Sequence, residues 1–177
     1  DVPRWLVEAT RISFPDRSPE TDAVILLDEQ SIKVKPDGTI VGTGRRAAWI
    51  LRQRGVESAG RLVLARSYDT EIRAMTGWNV TEGRETVKVT MKDVVETGLA
   101  PDALYSDISL LTLPVPGVGP GSVVGFEWEA ERRPLSLEDV FEFQTGLPVA
   151  RARYTLTLPA GWAMEPFWVN WKPQEGR

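Results

Sequence analysis

Glu127, Glu129 and Glu131 are the residues whose types and spacing come closest to catalysis. They alternate with Phe126, Trp128 and Ala130, so a strand through this stretch puts the three carboxylates on one face. Alternate strand residues stand about 6.7 Å apart. Glycosidase acid pairs span roughly 5–9.5 Å, so spacing alone allows a small glycoside hydrolase built on Glu127 and Glu129. Paired acids usually come from different strands across a cleft, however, and charge along one face is ordinary for a half-exposed sheet. The leading expectation is a wet strand face opposite Arg151 and Arg153.

Other candidates are weaker. Ser31 and Lys33 would share a strand face, but a solvated lysine stays protonated and cannot serve as a base. Gly117, Gly119 and Gly121 resemble a phosphate loop, yet a β-patterned segment follows where a helix N-terminus is required. Asp16, Glu20 and Asp22 supply oxygen ligands without the spacing of a calcium loop, and read as a solvated connector. Asn79-Val80-Thr81 has the form of a glycosylation sequon but falls within an expected strand. Trp162, Trp168 and Trp171 lie near the C-terminus. If 166–172 is a strand, Phe167, Val169 and Trp171 face the core and Trp168 points the other way, to solvent or an interface.

Composition removes most other chemistry. The chain has 177 residues, with no cysteine and no histidine. Disulfides, thiol nucleophiles and thiolate metal sites are excluded, as are the commonest general base and metal ligand. No cofactor and no metal site is expected. Hydrophobic residues make up 42% and charged residues 26%, as in an ordinary folded domain. The net charge is −4 and the 21 Lys and Arg are dispersed, which argues against a nucleic-acid partner. No apolar run reaches the roughly 18 residues of a membrane span. The start at Asp1 suggests a processed or trimmed N-terminus.

The elements that must position these residues are strands, because the dominant period is two. Strands are expected at 22–28, 31–35, 39–52, 60–66, 71–80, 86–92, 108–113, 123–131, 139–145, 149–158 and 166–172, and a helical turn within 97–106. Lys35-Pro36-Asp37-Gly38-Thr39 and Glu82-Gly83-Arg84 read as hairpin turns. Pro114–Gly121 is too rich in Pro and Gly for regular structure. The expected fold is all-β: a two-layer antiparallel β-sandwich of about ten strands over residues 21–172, with connectors at 1–20 and 173–177.

Several segments together carry a family resemblance. They are Asp22–Glu29, Lys33–Thr39, Arg45–Leu51, Tyr105-Ser106-Asp107, Leu113–Val124 and the strand beginning at Pro148. In this order, over about residues 22–161, the chain resembles the uncharacterised domain found N-terminal to transglutaminase-like domains of bacterial, often exported, proteins. The resemblance implies an immunoglobulin-like or larger sandwich preceding a papain-like domain, with the Cys-His-Asp triad outside this chain. Family members often carry an acid straight after the Val-Val pair; here the position is Gly125. The family supplies no catalytic residue to transfer.

The expectation that follows is a non-catalytic accessory domain of an extracytoplasmic protein, periplasmic or surface-associated. It would orient a transglutaminase-like or protease-like domain, or bind its protein or peptide substrate. Trp162, Trp168, Trp171, Glu127 and Glu129 form the candidate binding surface. The alternatives are a carbohydrate-binding module using an exposed Trp and, behind it, the glycoside hydrolase.

Overall fold

The computed structural model describes residues 1–14, 18–83, 85–98 and 108–170. Nine strands occur among them, in two sheets. The first hairpin joins β1 (Ala23–Val34) to β2 (Ile40–Ile50). Its turn is the expected Pro-Asp-Gly: the Gly38 N–H donates to the Lys35 carbonyl at 2.9 Å and the Thr39 N–H to Asp37 Oδ1 at 3.0 Å. Gly38 sits at φ +83°, where a side chain is strained. The segments expected as separate strands at 22–28 and 31–35 are thus one strand, with an irregularity between Ile25 and Leu27.

The chain continues through α2 (Gln53–Ala59), β3 (Arg61–Arg66), β4 (Thr70–Val80), β5 (Val87–Thr90), β6 (Val95–Gly98), β7 (Ser109–Pro114), β8 (Val123–Arg132) and β9 (Ala152–Thr157). β4 and β5 form the second expected hairpin, with Gly83 at φ +72°. The larger sheet runs β5-β4-β8-β2-β1-β9 and the smaller β3-β7-β6. Between them lies a core that includes Ile25, Ile50, Leu62, Met75, Leu111, Leu113, Val124 and Phe126. The all-β, sandwich-like class is therefore as expected. Pairing is antiparallel except at one edge, where β9 lies parallel to β1. The cause is the return of the chain after β8 through 133–151, which brings β9 in from the same end as β1.

Two helices were not expected. Arg4–Ala9, inside the stretch read as a connector, forms α1. Leu6 and Ala9 of α1 are buried on the outer face of the large sheet against Val24, Leu26, Ala47 and Trp78. Gly125 makes this possible, because a Cβ there would overlap the Leu6 side chain. α2 approaches equally closely: a Cβ on Gly55 would collide with the Asp22 carbonyl. No described helix is long and apolar enough to cross a membrane.

Two expected strands are not strands. Residues 139–145 are irregular and held by side chains rather than by a ladder. Arg132 Nη2 bonds Asp139 Oδ1 at 2.9 Å, and the Tyr154 hydroxyl donates to Asp139 Oδ2 at 2.7 Å. The described part of 166–172 is also irregular. The helical turn placed at 97–106 falls mostly outside the described residues; Thr97 and Gly98 end β6.

Candidate functional site

Three surfaces compete, and each follows from the strand order. On the outer face of the large sheet, register aligns Arg153 of β9, Glu29 of β1, Arg45 of β2, Glu127 of β8 and Thr76 of β4 in one row. Charges alternate along it. Arg45 Nε and Nη2 both reach Glu127 Oε1 at 3.2 Å, and Arg153 Nη1 lies 3.6 Å from Glu29 Oε1. Glu127 therefore opposes Arg45, and Arg153 opposes Glu29. The expected meeting of the glutamate row with Arg151 and Arg153 does not occur, since β2 and β1 stand between β8 and β9.

Glu129 lies one row further, opposite Thr43 and Ala74. Glu131 is gripped by three cations: Arg73 at 3.2 Å, and Lys35 and Arg133 at 3.5 Å. Burial alone would push its carboxyl up, but Arg73 and then Lys35 outweigh that and hold it below the ordinary glutamate value. Glu127 lines a shallow groove with Glu29, Ser31, Thr43, Arg45 and Arg153. This is a cross-strand ion-pair lattice on a sheet face. Ser31 and Lys33 are exposed on the same face, Ser31 opposite Thr43.

The sequon residues act structurally. Asn79 is buried, its amide donating to the Pro116 carbonyl at 3.1 Å while Oδ1 accepts from the Thr81 hydroxyl at 3.1 Å. The Thr81 and Ser122 hydroxyls are 3.0 Å apart, and the Gly119 N–H donates to Ser122 Oγ. Together they pin the glycine-rich loop that carries the chain from β7 in one sheet to β8 in the other. Asp22 pairs with Arg54 at 3.4 Å; Asp16 lies outside the described residues.

The C-terminal aromatics are arranged differently from the expectation. Without a strand at 166–170, alternation does not govern them. Phe167 is 91% and Val169 69% exposed, whereas Trp168 is 40% exposed and packs on Phe143, ring centroids 6.2 Å apart. The expected core-facing side is thus the wetter one. Phe143 in turn packs edge-on to Phe141, and Phe141 lies against Tyr154. Trp162 is exposed, and Trp171 lies outside the described residues. Leu135, Leu137, Val140 and Met164 are also exposed, so 135–143 and 162–169, joined by the Phe143–Trp168 contact, carry an apolar rim.

A cavity on the inner face was missed. Asp28 and Gln30 of β1, Arg46 of β2, and Trp128 of β8 face Val140, Phe141, Glu142 and Thr145 across a space of about 320 Å³. Asp28 is only 4% exposed and is held by Arg46 Nη2 at 2.9 Å. One sequence signal pointed here: Asp28 closes the apolar run Ala23–Leu27, where a buried carboxylate needs a partner.

Residues 36–176 match a family described as a domain of unknown function with a solved structure, DUF3857. No curated protein matches the chain in sequence. Among solved structures, one described as a "putative protease" from Parabacteroides distasonis is similar with a TM-score of 0.71 at 15% identity, over 79% of this chain and 29% of that one. At this identity the likeness is one of fold. Yeast LTA4 hydrolase aligns at 14% identity over 73% of this chain and 19% of its own, with a TM-score of 0.33. An M1 zinc metallopeptidase from Deinococcus radiodurans aligns at 12% over 78% and 32%, with a TM-score of 0.36. This chain spans less than a third of the length of the Parabacteroides protein.

Proposed function

The chain belongs to the DUF3857 family, and from that premise we propose that it is a non-catalytic accessory domain of a bacterial exported protein with a transglutaminase-like or protease-like catalytic domain. Its role is to hold that domain in position or to present its protein substrate. The observation that carries the reading is the apolar rim of 135–143 and 162–169. Leu135 (95% exposed), Val140 and Phe167 would be costly to leave in water as one patch, and such patches mark interaction surfaces. The likeness to a protease-described chain more than three times as long as the aligned part is in keeping with a domain that has a catalytic neighbour.

The candidate acids support the same reading. Glu127 is engaged by Arg45, and Glu131 by Arg73, Lys35 and Arg133. Glu127 and Glu129, the pair a glycosidase would need, lie along one strand on an open sheet face rather than across a cleft. The test is the complete gene and its product. The reading expects an export signal and a Cys-His-Asp domain following this one. A complete gene lacking any such domain would sink it.

A further inference from the structure

We propose that the cavity between the large sheet and residues 140–145 is a binding site for a neutral sugar unit, with the Trp128 indole as its platform. The site borders the apolar rim and shares Val140 and Phe141 with it, but the inference does not depend on a catalytic neighbour.

The platform comes from the sheet itself. A Cβ on Gly44 would fall inside the Trp128 ring, so the indole lies directly over the bare β2 backbone. The same residue lines the cavity. A flat apolar surface fixed in this way stacks against the C–H face of a sugar ring. Polar side chains surround it: Asp28, Gln30 and Arg46 from the sheet, Glu142 and Thr145 from the facing segment.

Charge disfavours an anion. Asp28 and Arg46 neutralise each other, which leaves the Glu142 carboxylate as the net charge of the wall. What remains is a mixture of donors and acceptors, suited to hydroxyl groups that both donate and accept. Arg46 has donor capacity to spare. It anchors Asp28 through Nη2, while its buried Nε–H has no acceptor among the described residues. An unmet donor of this kind gains from a ligand oxygen brought beside it, once the half-exposed guanidinium shifts to meet it.

Strand order disfavours an extended peptide. Asp28 and Gln30, Arg46 and Trp128 sit on β1, β2 and β8, each paired on both sides within the order β4-β8-β2-β1-β9. No backbone edge is open there for strand addition, so recognition falls to side chains alone. The volume of about 320 Å³ is at the lower end of ligand sites, which run roughly from 300 to 1,000 Å³.

The experiment titrates the purified chain with cellotetraose, mannotetraose, chitotetraose and an uncharged alanine-serine peptide, followed by calorimetry and tryptophan fluorescence. At least one saccharide should bind saturably. Gln30→Ala and Glu142→Ala should each weaken it by about tenfold or more with the urea midpoint unchanged. Trp128→Phe should retain weaker binding, and Trp128→Ala should abolish it. If Trp128→Ala does not fold, the Gln30 and Glu142 variants decide. The proposal is overturned if none of the saccharides binds, if binding survives both of those variants, or if only the peptide binds.

Discussion

Leu6 of α1 rests on the bare backbone of Gly125 in β8, in space that any Cβ at residue 125 would occupy. This contact fastens the N-terminal helix to the outer face of the large sheet. Leu6→Ala should destabilise the chain by about 2–5 kcal/mol, the range for a fully buried leucine. Gly125→Ala should cost about 1–3 kcal/mol by overpacking. The double variant should be more stable than the sum of the singles implies, because removing Leu6 removes the clash. Urea denaturation of the four proteins gives the cycle; strict additivity would show that the two residues are not in contact.

Asn79 ties β4 to the loop that crosses between the sheets. Asn79→Ala removes both hydrogen bonds of a buried amide, to the Pro116 carbonyl and from the Thr81 hydroxyl, and should cost about 1–3 kcal/mol. Ser122→Ala removes bonds to Thr81 and Gly119 within the same network, so the two losses should not add. Chemical denaturation measures both, and an unchanged midpoint for Asn79→Ala would contradict the tether.

Glu131 makes stability depend on acid. Its folded pKa lies below the ordinary glutamate value, so its contribution is present above that value and is lost as pH falls through the lower, folded one. Glu131→Gln should therefore be less stable than the parent at neutral pH, and the gap should close as pH drops below the glutamate range. A gap that widened on acidification would reverse the assigned sign.

The row formed by Arg45 and Glu127 is exposed and should matter little. Glu127→Gln is expected to change stability by less than about 1 kcal/mol, and less again in high salt. Thermal denaturation at two salt concentrations tests this. A loss of several kcal/mol would mean that the lattice carries more of the fold than its exposure implies.

Strands that are wet on one face were the legible ones. In β8 and β9 every second residue is apolar, and alternation located both to within a few residues. The turns at Gly38 and Gly83 were legible because only glycine sits easily at their φ. α1 and α2 are six and seven residues long, each with two buried positions, too few to establish a helical period. β6 is exposed at all four residues and has no alternation to read. At 139–145 and 166–170 the alternation is present, but neither segment joins a sheet, and 139–145 is held by side chains instead. Beyond the hint at Asp28, the cavity was hidden for a different reason: Asp28, Arg46 and Trp128 become neighbours only through the order β8-β2-β1, which sequence does not reveal.

The accessory-domain account is tested most directly by comparing backbone hydrogen exchange in this chain alone and within its complete parent protein. It predicts that 135–143 and 162–169 exchange quickly in the isolated chain and become protected when the catalytic domain is attached, with Phe167 shielded from surface labelling. Equal exchange of both segments in the two proteins, with Phe167 still labelled, would contradict it.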